Sequence, residues 1–246
     1  MNKTSWIGAF LFTLLLCSEL SASISTKDIL RKADQARGNI EGVTWKLAVE
    51  AEEENRINSM TLEAKARGFD FFSETLAPPK YKGNKIIMIK SNMWFHRPGL
   101  SKPVPISKRQ RLLGNAAYGD IASTNYAAQY DATEVGEETV SGEICYVFDL
   151  KAAEKNTTYD RIKYWISKER LVGIKAEYFT VSDKMFKSAV MAYGNYVTID
   201  GKKQPFISKM IIHDELLSEK STTLDFTEPD LGKLPDYIFN LNLLRK

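Results

Sequence analysis

The chain reads as a mainly β protein of ten or eleven antiparallel strands, and three observations predict it. From Gly42 onward the hydrophobic period changes to two, as in Val43, Trp45, Leu47, Val49 and Ala51 alternating with Thr44, Lys46, Glu50 and Glu52. Turn signals recur between such runs, with Asp200-Gly201 the strongest hairpin marker. A helical pattern occurs only near the start and in the middle of the chain. A sheet of this length curls into a barrel or splits into a sandwich.

Thr26 to Gly38 predicts an amphipathic helix, because Ile29, Leu30, Ala33 and Ala36 share one stripe, Ser25 or Thr26 caps the start and Gly38 ends it. Its role is to cover one side of the sheet. After the first strand, Glu52-Glu53-Glu54-Asn55 turns the chain into a second alternating run, Met60, Leu62, Ala64 and Ala66. Strands are expected at 69–76, 85–90 and 93–96, while Ala77-Pro78-Pro79-Lys80 is excluded from a central strand. Between Gly99 and Ser123 the alternation stops. Pro103 and Pro105 break the chain, and 108–113 and 116–121 are read as short helical pieces. Strands resume at 129–135, 143–150, 161–167, 173–181, 186–193, 196–200, 206–214 and 221–226, with Gly136-Glu137 and Ser141-Gly142 among the connections. No Gly/Ser or Pro linker divides the chain and no repeat is evident, so residues 24–246 are expected to form one domain with an insertion at about 99–123.

The first 23 residues read as an export signal. Lys3 supplies the positive end, 7–16 is an apolar run too short for a permanent span, and Ser21-Ala22-Ser23 offers a cleavage site. Cys17 follows Leu16, which is too large for the residue preceding a lipidated cysteine. Without the leader Cys145 is the remaining thiol, set in a strand-like run where a cysteine acts as a small buried hydrophobe. The net charge of +3 is unchanged by losing Lys3 and Glu19 together, and it is too small for a nucleic-acid binder.

Chemistry-bearing patterns are few. His96 and His213 are the only histidines, and neither His-Glu-x-x-His nor Cys-x-x-Cys occurs, so no metal or cofactor is expected. No Gly-x-Ser-x-Gly elbow supports a hydrolase built around His213-Asp214. Lys102, Lys108, Arg109 and Arg111 form a basic cluster that suits anionic lipid headgroups, an acidic partner or a solvated loop. Several strands are apolar on both faces, as at Phe71-Phe72, Ile86-Ile87, Tyr164-Trp165 and Ile211-Ile212. Such a sheet can pack solidly on itself or keep one concave face for a ligand.

Several segments resemble the LolA-like family of outer-membrane lipoprotein-sorting proteins. They are Ile29 to Gly38, the strand end Trp94 to Pro98, the segment Gly114 to Ile121, the late hairpin Tyr178 to Pro205, and Pro235 to Phe239 followed by Leu243-Leu244. The chain departs from the family pattern at Ala116, where an acidic residue is common, and at Gly119. The resemblance implies a strongly curved, half-open antiparallel β-barrel with an N-terminal helix and a helical lid. It implies a non-catalytic periplasmic carrier, a monomer, that holds lipid or lipoprotein acyl chains between an inner-membrane transporter and an outer-membrane acceptor. On this reading Trp45, Leu47, Met60, Leu62, Phe71, Trp94 and Phe148 line the hydrophobic cavity, and Gly114, Tyr118, Asp120 and Ile121 belong to the lid. The alternatives are an accessory or sensor protein of the same fold, serving an exporter of the resistance-nodulation-division type or a regulatory membrane protein, and, more remotely, a hydrolase.

Overall fold

The computed structural model of the protein describes residues 24–53, 56–122, 124–216 and 220–244. The expected signal segment, with Cys17, lies outside them. Helix α1 (Thr26–Gln35) starts where the sequence places it, with Ser25 Oγ accepting from the Asp28 amide at 3.1 Å. Its apolar stripe Ile29, Leu30, Ala33 and Ala36 is buried.

Thirteen strands form one antiparallel sheet. From one edge they run β6 (Val104–Ile106), β5 (Asn92–His96), β4 (Lys85–Ile89), β3 (Asp70–Ala77), β2 (Arg56–Arg67) and β1 (Val43–Glu53). The order continues through β17 (Ser221–Leu231), β16 (Lys209–Asp214), β13 (Met185–Ala192), β12 (Gly173–Phe179), β11 (Arg161–Ser167), β10 (Glu143–Ala152) and β9 (Tyr130–Val140). The two edge strands do not pair with each other, so the sheet stays open. It nevertheless curls until its ends meet. Ser91 and Asn92 beside β5, second from one edge, contact Asn156 beyond β10, second from the other, and the Asn156–Asn92 side-chain bond is 3.1 Å. This is the expected half-open barrel, with more strands than the sequence suggests.

The extra strands have identifiable causes. Residues 202–205 fall between the strands expected at 196–200 and 206–214, yet β15 (Lys202–Phe206) pairs with β14 (Asn195–Ile199) in a separate ribbon closed by Asp200-Gly201. Gly136 is not a turn. It marks a register shift inside β9, which runs on to the hairpin at Ser141-Gly142. Pro229 is tolerated in β17 because β16 pairs only as far as Asp225, leaving the prolyl position without a neighbour on that side. Segment 108–113 is not helical: β7 (Arg111–Leu113) pairs with β8 (Ala116–Ala117), and the helical turns that follow are α2 (Tyr118–Ile121) and α3 (Tyr126–Gln129).

The concave face carries the core. Across β1, β2 and β3 the rows Leu47–Leu62 and Val49–Met60 pair large aliphatics, and Trp45 stands opposite Ala64, bulk against space. The β14–β15 ribbon folds over this surface. Phe206 meets Trp45 edge-on at 5.8 Å, and the Ile207 amide bonds the Ala36 carbonyl at 2.9 Å. Helix α1 and the ribbon therefore fill the deep part of the trough.

Candidate functional site

The lid lies against strand ends of the sheet, at Ala51 of β1, Thr222 of β17 and Lys187 of β13. Its β7–β8 turn sits hard on the sheet. A Cβ at Gly114, whose φ is +52°, would overlap Ala51 and Thr222. Asn115 donates from its amide to Thr222 Oγ1 at 2.8 Å and from its side chain to the Lys220 carbonyl at 2.7 Å.

Asp120 fastens the other end. Its carboxylate accepts from the Ala117 amide at 2.8 Å, from Tyr159 OH at 2.6 Å and from Lys187 Nζ at 3.0 Å, and Lys187 also donates to Tyr159 OH at 2.7 Å. All three side chains are buried. Burial holds the Tyr159 phenol well above its ordinary range, so it remains a neutral donor. Lys187 reaches the lid because it occupies an inward position of β13, in one row with Ala189 and Met191. Ile121 is buried in the core and Tyr118 is half-buried against it. The departure at Gly119 has a steric cause. A Cβ there would overlap Thr158 Oγ1 and approach Thr158 Cγ2 to 2.7 Å.

Space remains beside this latch. A crevice of about 580 Å³ is lined by Ala117, the Tyr159 ring, Phe179, Val181 and Phe186, with Arg109 and Asp160 among its polar neighbours. A second, more polar space of about 990 Å³ shares Arg109, Ala117, Phe186 and Lys187 with it and opens between Arg56, Arg111, Asp214 and Lys220. The two spaces adjoin through these shared residues, and the apolar one is of the size that holds small hydrophobic ligands.

The sequence-assigned cavity residues stand elsewhere. Trp45, Leu47, Met60, Leu62, Phe71 and Phe148 belong to the buried core and line neither space. Trp94 is half-buried and borders a separate cleft of about 240 Å³ with Lys108 and Arg109. Of the four residues assigned to the lid, Gly114 sits on Ala51 and Thr222, while Tyr118, Asp120 and Ile121 lie on the short helix α2. Two members of the basic cluster serve the fold: Arg109 forms a two-bond pair with Asp160 at 2.9 and 2.7 Å, and Lys108, lowered to about 8 by burial, donates to Ser91 Oγ at 2.9 Å. Burial, then Glu143, push the Cys145 thiol up, so it is no ready nucleophile. His96 Nε2 lies 3.1 Å from the Leu100 carbonyl, and His213 is exposed. Sequence reasoning missed Lys187, Tyr159 and Phe186. A lysine at an inward position of an alternating strand was the available signal for the first.

Known structures share this architecture. A LolA superfamily protein from Nitrosomonas europaea is 26% identical, matches 89% of this chain and 99% of its own, and superposes with a TM-score of 0.78. A putative outer membrane lipoprotein-sorting protein domain from Vibrio parahaemolyticus is 18% identical, with 89% and 98% covered and a TM-score of 0.76. A DUF1329 family protein from Desulfovibrio piger is 20% identical, with 89% and 97% covered and a TM-score of 0.75. No curated relative matches the chain by sequence. Residues 69–246, well over half of the chain, match a family model described only as an uncharacterized protein, and the chain accordingly belongs to that family, on the LolA-like fold.

Proposed function

We propose that the protein is a non-catalytic periplasmic carrier that shelters the acyl chain of a lipid or lipoprotein. The observation that carries this reading is the apolar crevice beside the latch, walled by Phe179, Val181 and Phe186. An acyl chain that buries about fourteen methylenes at ~0.8 kcal/mol each gains on the order of 10 kcal/mol before ordering costs. After several kcal/mol of such costs, holding falls in the micromolar range, tight enough to carry and loose enough to release. No acid, base or metal is needed for that work.

The export signal read at the N-terminus supports a periplasmic location, and the shared fold with a putative lipoprotein-sorting domain supports cargo of this class. Loading from an inner-membrane transporter and delivery to an outer-membrane acceptor complete the proposal. The lining role of Trp45, Leu47, Met60, Leu62, Phe71 and Phe148 belongs to an opened form. The β14–β15 ribbon, now seated on Trp45 through Phe206, would have to lift for a chain to reach them.

Lipid extraction and native mass spectrometry of the purified protein test the proposal. The expected result is bound lipid in the natural sequence and its loss in Phe186→Glu, with folding intact. A protein free of lipid, and unable to bind a fluorescent fatty acid, would refute it.

A further inference from the structure

A second feature of the trough has no part in sheltering hydrocarbon. Arg37, just past α1, is 6% exposed, and its guanidinium makes no ion pair among the described residues. Its contacts are long: Nη1 to Tyr126 OH at 3.5 Å and Nη2 to Met210 Sδ at 3.9 Å, with the Tyr126 ring centroid 5.8 Å away. A guanidinium has five N–H donors, and burying its charge with so few acceptors costs several kcal/mol.

The groups around it are donors too. Tyr126, Tyr164, Tyr178 and Tyr193 all lie within electrostatic reach of Arg37. All four are buried, and the hydroxyls of Tyr164, Tyr178 and Tyr193 have no hydrogen-bond partner. Burial keeps these phenols neutral and protonated. The nearby carboxylate, Asp34, accepts from the Ala127 amide at 2.9 Å through Oδ2, and its Oδ1 is also unpartnered, but it forms no ion pair with Arg37 among the described residues. Arg37 and three unpartnered hydroxyls, all at least nine-tenths buried, therefore have no acceptor bridging them among the described residues. The register explains why they gather. Tyr164 and Tyr178 sit on the concave faces of β11 and β12, beside the small Ala176 and Ala189.

The cage also adjoins the crevice. Tyr178 stacks on Tyr159 at 3.9 Å, and Tyr159 lines the crevice. We propose that Arg37 with Tyr164, Tyr178 and Tyr193 forms a binding site for an oxyanion, a phosphate or a carboxylate. The anion is either free or the head of an amphiphile whose chain lies in the crevice. The amphiphile source rests on the carrier reading; the anion site itself does not. Entry requires Tyr159 to swing off Tyr178, which couples occupancy to the Asp120–Lys187 latch.

Titration calorimetry with four probes tests the proposal: inorganic phosphate, acetate, oleoyl lysophosphatidate, and monoolein, which carries the same chain without the phosphate. The expected result is lysophosphatidate bound about tenfold or more tighter than monoolein, the scale of a charged hydrogen bond. Arg37→Met should erase that preference, and so should Tyr193→Phe, which removes one hydroxyl and keeps the ring; monoolein binding should not change. Heat from phosphate or acetate, dependent on Arg37, would instead assign the site to free anions. Equal binding of the two amphiphiles, with no heat from phosphate or acetate, overturns the oxyanion site and leaves the carrier intact. Arg37-dependent phosphate binding with no amphiphile bound keeps the site and overturns the carrier.

Discussion

Removing the lysine of the lid latch should both destabilise the protein and free the lid. In Lys187→Met, Asp120 keeps the Ala117 amide and Tyr159 hydroxyl but loses the one cation paired with it among the described residues, at a site where the two side chains are 10% and 2% exposed. Stranding a buried carboxylate in this way costs about 3–5 kcal/mol. For a domain of this size that lowers Tm by roughly 6–20 °C, at about 2–4 °C per kcal/mol. Adding Asp120→Asn removes the stranded charge and should restore a large part of the loss, so the pair is non-additive. Urea denaturation measures the stability. Hydrogen exchange at the Ala117 amide, which donates to Asp120, reports the lid itself. A loss under about 1 kcal/mol with unchanged Ala117 protection would refute the latch.

Three further outcomes follow from particular contacts. Burial raises Asp34 to about 6, above its value in the unfolded chain, so its contribution to stability is complete at low pH and is lost as pH rises through about 6. Asp34→Asn should therefore flatten the pH dependence between about 4 and 7 and gain up to about 3 kcal/mol at pH 7; parallel curves in denaturant titrations would count against this. Gly119→Ala should destabilise through overlap with Thr158, by roughly 1–3 kcal/mol, with partial rescue by Thr158→Ala; no loss in a thermal melt would mean the loop yields freely. Trp45→Ala, which removes the side chain packed between Phe71 and Phe206, should cost about 3–5 kcal/mol in urea denaturation, and a cost below 1 would show that the trough is not a packed core there.

The fold was legible where one face of a strand is dry. Val43 to Ala51 and Met60 to Ala66 alternate without a break, and both strands lie within a few residues of their expected positions. Legibility failed where pairing is local or tertiary. Pro105 did not prevent a short edge strand, and Arg111–Leu113 shows no period because its partner is only a few residues away. The lid residues were named from their segment, while Trp45, Leu47, Met60, Leu62, Phe71 and Phe148, assigned to a cavity, sit in the buried core. Alternation reports which face is dry; it does not say whether ligand or protein keeps it dry. Whether Trp45 faces a chain of hydrocarbon or Phe206 depends on the β14–β15 ribbon, about 160 residues away by the sequence numbering. The Asp120–Tyr159–Lys187 latch joins three distant segments, and the odd inward lysine was its one trace.

A photoreactive fatty acid, cross-linked to the purified protein and mapped by peptide mass spectrometry, tests the central claim most directly. Adducts are predicted on the crevice wall, at Phe179, Val181, Phe186 and the lid residue Ala117. Adducts at neither the crevice wall nor the trough residues Trp45, Leu62 and Phe148, or none competed away by unlabelled lipid, would contradict it.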